Sequence, residues 1–333
     1  MSKRPSITLS QSIEGFVLFK RGERLSKNTI ADYLNSFQHL IRYLDEADPL
    51  IEDIVPSQIS AFLAHLGTVP QTNDNGFAPH PTKPLSKKSL LNIHTALSSM
   101  WTWAVEEGLT SRHVMSHVPR PDPEKRVIVP FTKNEINRIF KACRRTAPYF
   151  HNRTRDKDKV SNKRPTATRD EALICLLVDT GIRASELCNA TIRDLDMANR
   201  RLKVYGKGAK ERVLPFGDTT ARLLWRYMVE RPAAEPSHPL FALITNDKKP
   251  IARRLLWQTV RRIADRAEVP DAHPHRFRHT FAIEYLRNGG DIYTLQRLLG
   301  HSSLDMVRTY LAIAQADVEA AYRKASPLDN WGI

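Results

Sequence analysis

Strand patterning occurs in one stretch of this sequence, between about Ile192 and Phe216, while apolar residues elsewhere recur at helical spacing. A chain built this way must bury its core between helices, with one small sheet as a local addition. The words RLKVY and ERVLPF flank GKGAK, which predicts a β-hairpin with a glycine-rich turn. The expected class is therefore mainly α with a small antiparallel β-sheet (α+β). At 333 residues the chain is about twice a usual domain, so two domains are expected.

Three prolines, Pro119, Pro121 and Pro123, mark the division, because the polar stretch PRPDPEKR cannot continue a helix. Residues 1–118 form the first domain, 119–126 the linker and 127–333 the second domain. In the first, Ile30, Tyr33, Leu34, Phe37, Leu40, Ile41 and Leu44 share one helical face, with Ser26 or Asn28 as cap. A shorter helix runs near Pro56 to Leu66. A long one follows Ser86, with Leu90, Ile93, Leu97, Trp101 and Val105 on one side. Residues 68–85, rich in Pro, Asn, Gly and Thr, read as an exposed loop.

The second domain opens with a capping box, Thr132 and Glu135, leading a helix to about Arg145. Residues 151–169 carry seven Lys/Arg and almost nothing apolar, and read as a solvated loop or a phosphate-facing flap. A helix from about Arg169 to Asp179 stops at Gly181. Beyond the hairpin, helices are expected to about Lys324.

Charge limits the partners. There are 51 Lys+Arg against 36 Asp+Glu, a net +15, which suggests a polyanion. No run reaches the roughly 18 apolar residues of a membrane span, and the basic start MSKRPSITLSQS lacks a signal peptide's apolar stretch. Cys143, Cys175 and Cys188 have no CxxC spacing and read as buried thiols in a reducing compartment. A cytoplasmic protein with no membrane partner is expected.

Several second-domain words are unusual for a plain helical core. TGIRASEL sets Arg183 just past a helix end, three residues before Glu186. HPHRFRHTFA gathers His275, Arg276, Arg278 and His279 at a helix start. LLGHSSLDMVRTY puts His301 nine residues before Tyr310, and the hairpin turn offers Lys207. Singly, each has an ordinary explanation. Arg183 can pair with Glu186 on a surface, Lys207 can be solvated, His275 and His301 can cap helices, and Tyr310 can be core.

Taken together and in this order, Arg183, Lys207, His275-x-x-Arg278, His301 and Tyr310 resemble the tyrosine recombinases, the phage-integrase type of site-specific recombinase. The resemblance is close over about residues 125–325. It is looser in the first domain, where LSKNTIADYLNSF resembles the family's helical core-binding domain. It implies a two-domain DNA clamp that cuts and rejoins DNA strands through a 3′-phosphotyrosine, with no cofactor. Integration, excision, chromosome-dimer resolution and transposition all use this architecture.

The residue types suit that chemistry. In-line attack at a phosphodiester builds negative charge, and two planar guanidinium forks, Arg183 and Arg278, can bracket it. His301 can donate to a non-bridging oxygen. Tyr310 would be the nucleophile; its phenol, with an ordinary pKa of about 10, needs a base or strong positive potential. His275 is the candidate base, Lys207 the proton donor to the leaving 5′ oxygen, and Glu186 an orienting group for the scaffold. No acidic cluster at metal spacing appears, and His273, His275 and His279 lack partners for zinc, so no metal is expected. Lys27, Lys87 and Lys88 at helix starts are candidate contacts to DNA phosphates. The resemblance implies that the amphipathic tail ADVEAAYRKA docks on a neighbouring protomer, giving a tetramer on paired sites; the alternative is that it packs back on its own domain. Rival readings are a type IB topoisomerase-like enzyme, a DNA-binding module without catalysis, and a metal-dependent nuclease. Each would lack some of these words or need residues not found.

Overall fold

The computed structural model describes residues 6–44, 48–70, 83–124, 127–146, 149–150, 159–206, 211–231, 233–300 and 303–326, with backbone alone at 149–150, 159–160 and 316–325. The chain divides into two compact units, Met1–Arg126 and Val127–Ile333.

The first unit is helical: α1 (Leu9–Gly22), α2 (Lys27–Tyr43), α3 (Pro56–Thr68), α4 (Lys87–Glu106) and a 3-10 turn at Val114–His117. Local chemistry fixes the starts. Thr8, Ser26 and Ser86 each accept the backbone N–H three residues on, and Pro56 opens α3 where its missing N–H costs nothing. Ser26 rather than Asn28 is the α2 cap. The apolar faces of α1, α2 and α4 meet around Phe16, whose ring lies edge-on to Tyr33, Phe37 and Trp103 at 5.2, 5.7 and 5.8 Å. Trp101, Phe37 and Phe62 are fully buried. Within the loop expected at 68–85, residues 71–82 lie outside the described set.

The second unit begins with α5 (Lys133–Arg144), capped by Thr132 with its Glu135 box. α6 (Ala167–Thr180) starts two residues earlier than expected and is its spine: Ala172 to Leu177 are almost wholly buried. α6 ends at Gly181 with φ 60, where a Cβ would fall 2.5 Å from the Phe281 ring, so only glycine fits. α7 (Ala184–Asn189) follows at once. The expected hairpin is β4 (Arg201–Tyr205) and β5 (Glu211–Pro215), antiparallel with Tyr205 opposite Glu211. β3 (Leu195–Asp196) pairs on the other side of β4.

Strands also occur where patterning gave none: β1 (Tyr149–Phe150) pairs with β2 (Lys159–Val160), and β6 (Ala242–Leu243) with β7 (Asn246–Pro250). β7 reads NDKKP with every residue exposed, so it carries no alternation to detect. The expectation of unbroken helix after the hairpin is corrected there. α8 (Asp218–Val229), α9 (Arg253–Arg266), α10 (Pro274–Arg287), α11 (Ile292–Leu299) and α12 (Asp305–Ala325) complete the unit. Ala282, Ile283, Leu295, Leu299, Val307 and Tyr310 tie α10, α11 and α12 into a separate small core.

Cys143, Cys175 and Cys188 are buried and free, and burial pushes the last two thiols up to about 11. Among the described residues no helix is long and apolar enough to cross a membrane, and no three metal-ligating side chains converge.

Candidate active site

Three helix ends and one strand meet at a single place in the second unit. The end of α6 leads through Gly181 to Arg183, and the backbone N–H of Arg183 donates to Glu186 Oε2 at 2.9 Å. Arg183 Nη1 donates to Glu186 Oε1 at 2.9 Å. From β5, Arg212 grips the same carboxylate with both Nη atoms at 2.6 Å, and its Nε donates to the Leu298 carbonyl at 2.8 Å. Glu186 is 3% exposed. Burial opposes its ionisation, but the hydrogen bonds from Arg212 and Arg183 outweigh that and hold its pKa below the usual value. This carboxylate therefore binds α7, β5 and the end of α11 into one frame.

Arg278 enters from α10 and is 1% exposed. Its Nη1 donates to the Gly181 carbonyl at 2.8 Å and its Nη2 to the Leu299 carbonyl at 2.6 Å. Arg183 Nη2 likewise donates to the Gly300 carbonyl at 2.9 Å. Those carbonyls sit at the C-terminal ends of α6 and α11, where unpaired acceptors gather. Burial, then the charges of Arg183 and Arg212, push the Arg278 pKa down to about 9, which leaves it cationic at neutral pH.

Tyr310 on α12 is 1% exposed, and its hydroxyl shares a 2.8 Å hydrogen bond with His279 Nδ1. The His279 and His275 rings meet edge to face at 4.6 Å. Burial raises the Tyr310 pKa, opposed by the Arg278 charge. His275 is exposed, yet desolvation and then the charges of Arg278, His273 and Arg183 hold its pKa below the usual histidine value. A neutral imidazole able to accept a proton results at neutral pH.

The site thus joins Arg183, Glu186, His275, Arg278 and Tyr310 from three segments, α7 with its N-cap, α10 and α12. Lys207 and His301 lie outside the described residues. Sequence reasoning gave no role to His279 or Arg212. His279 was accessible as the residue four beyond His275 on one helix, hence on the same face. Arg212 gave no local sign, because its partner is 26 residues away.

Lys27, Lys87 and Lys88 sit exposed in the first turns of α2 and α4, in the other unit. Lysine there opposes the helix dipole, so its charge is not explained by helix stability. A groove of about 680 Å³ lies between these two helices, lined in part by Ser36, His39, Lys88, Asn92 and Arg120.

A family model described as the phage integrase family matches residues 130–317, more than half of the chain. The tyrosine recombinase XerC of Mycobacterium tuberculosis is 30% identical over 308 residues, covering 91% of this chain and 93% of that protein. The XerC of Staphylococcus carnosus is 38% identical over 160 residues, covering 48% of this chain and only 54% of its own length. The chain thus spans about half the length of the staphylococcal relatives that it matches. Among solved structures, the Tn1549 transposon integrase in complex with a circular intermediate DNA superposes with a TM-score of 0.67 at 19% identity. That match covers 95% of this chain and 100% of the other, and shows a shared fold. The chain belongs to the phage integrase family, the tyrosine recombinases.

Proposed function

We propose that this chain performs site-specific DNA recombination, cutting and rejoining strands through a 3′-phosphotyrosine on Tyr310 with no metal. The observation that carries the reading is the convergence of Arg183, Arg278, His275 and Tyr310 at one junction. Two arginines, a neutral imidazole and a phenol are what in-line attack on a phosphodiester requires.

The Tyr310 oxygen attacks phosphorus, and the bond from phosphorus to the 5′ oxygen breaks. The phenolic proton passes to the histidine side of the site, where His275 is the candidate base. Lys207 supplies a proton to the leaving 5′ oxygen. Arg183 and Arg278 hold the non-bridging oxygens, with His301 as a further donor, and Glu186 keeps Arg183 in place. One phosphoester replaces another, so a 5′-hydroxyl from a second DNA reverses the step and joins the strands.

The described arrangement is a resting one. Arg278 donates to the carbonyls of Gly181 and Leu299, Arg183 donates to that of Gly300, and Tyr310 is buried.

Residues 1–118 act as a DNA-binding domain in this proposal, with Lys27, Lys87 and Lys88 on backbone phosphates, 119–126 as linker and 127–333 as catalytic domain. The partners are double-stranded recombination sites, and protomers assemble as a tetramer when two sites pair. The cytoplasm is the expected compartment. The net +15 favours such a polyanionic partner.

The test uses a nicked duplex built from the sequence that the wild-type chain selects from a randomised DNA pool. Covalent complex should form in excess EDTA, and a strand bearing a 5′-hydroxyl should then be joined to the trapped DNA. Loss of cleavage on chelation, restored by magnesium or zinc, would overturn the metal-free mechanism.

A further inference from the structure

The helix that carries His275 and Arg278 begins in an unusual way. Helix starts favour Ser, Thr, Asp or Asn, whose short side chains reach the exposed N–H groups. At α10 the cap is His273, with extended backbone (φ −152, ψ 159) and Pro274 at the first helical position. His273 Nδ1 accepts the backbone N–H of Arg276 at 3.2 Å. A bulky imidazole has rotational freedom that a serine lacks, and it caps only if its ring is held. Trp257 of α9 does this: the indole stacks on His273 with centroids 5.4 Å apart and planes 7° apart.

His273 must be neutral at Nδ1 to accept. Desolvation and then the Arg276 charge keep its pKa below the ordinary value, against a smaller opposing effect of Asp271. The turn is fixed further on by Arg276, which donates to the carbonyls of Pro270, Val129 and Pro130. The cap acts on backbone at Arg276, one residue after His275 and two before Arg278. Nothing in the proposed chemistry uses His273 itself.

We propose that His273, locked by its stack on Trp257, is a positioning residue for strand cleavage, fixing the first turn of α10 and so the placement of His275 and Arg278. This rests on the strand-transfer reading. The role is indirect, and it belongs to the acceptor atom rather than to the imidazole as such. A shorter side chain with a cap oxygen should replace it, and a side chain with no acceptor should not.

The full-length chain is compared with His273→Ala, His273→Asn, Trp257→Ala and Trp257→Phe on the selected nicked duplex. The readouts are the single-turnover rate of covalent complex formation at saturating DNA, the DNA concentration for half saturation, and thermal melting. His273→Ala should slow cleavage about tenfold, the scale of a factor set by about 1.4 kcal/mol, with half saturation unchanged. His273→Asn should return the rate to within about twofold of wild type. Trp257→Ala should fall between these, and Trp257→Phe should stay near wild type. Wild-type cleavage by His273→Ala, or His273→Asn as slow as His273→Ala, would overturn the proposal. If His273→Ala fails to fold, the Asn and Trp257 variants decide in the same way. No covalent complex from the wild type would instead count against strand transfer.

Discussion

The hydroxyl of Tyr310 and Nδ1 of His279 lie 2.8 Å apart, and this bond holds α12 against α10 while keeping the tyrosine out of solvent. The candidate nucleophile is thus stored as a core residue. Its pKa is raised by burial, so the resting phenol is less reactive than a free one.

Tyr310→Phe should therefore cost folding stability as well as chemistry. Removing one hydrogen-bonded hydroxyl is worth about 1 kcal/mol, which a denaturant melt should register. DNA affinity, measured by gel shift, should stay within a few fold, because binding arises from basic surfaces rather than from this buried hydroxyl.

Glu186→Gln should be far more damaging. The change removes a buried carboxylate from two arginines, and breaking such a pair costs about 3–5 kcal/mol. The pKa of ionised Glu186 is lowered in the folded chain, so its contribution is complete above about pH 4.5 and is lost as pH falls below that. Melts across this range should show the stability gap between wild type and variant narrowing toward acid. A constant gap would mean that the charge of Glu186 is not what holds Arg183 and Arg212.

Lys207 is the proposed donor to the leaving oxygen. Lys207→Ala should slow cleavage of ordinary DNA severely, whereas a substrate with sulfur at the bridging 5′ position should be cleaved near the wild-type rate, since a thiolate leaves without a proton. Equal defects on both substrates would assign Lys207 to binding or placement instead.

Assembly is tested through α12. In the tail ADVEAAYRKA, Val318, Ala321 and Tyr322 recur at helical spacing along one side; their side chains lie outside those described, and the proposal is that this stripe docks on a neighbouring protomer. Truncation after Ala314 should weaken cooperative filling of adjacent half-sites more than binding to one. Light scattering should show monomers without DNA and a four-protomer complex when two sites pair. A stable tetramer without DNA, or unchanged cooperativity, would contradict this part.

Features set by neighbouring residues were legible in the sequence. Ser26, Ser86 and Thr132 cap their helices because the acceptor and the N–H lie three residues apart, and Gly181 stops α6 because it alone tolerates the left-handed turn. The cap of α10 was not, since His273 becomes a cap only through an indole sixteen residues earlier on another helix. Nor was the storage of Tyr310, a matter of how α10 and α12 pack. The words that carry Arg183, Arg278 and Tyr310 stood out in the sequence, but the contacts of Arg183 and Arg278 with the carbonyls of Gly181, Leu299 and Gly300 did not. Those depend on where two helix ends meet.

The most direct test of the central claim is the position of the covalent bond. The wild-type chain, trapped on the nicked duplex in excess EDTA, is digested and its DNA-linked peptide identified by mass spectrometry. A 3′-phosphodeoxynucleotide on Tyr310, absent from Tyr310→Phe, is the predicted result. An adduct at another residue, or a trapped complex with Tyr310→Phe, would contradict the account.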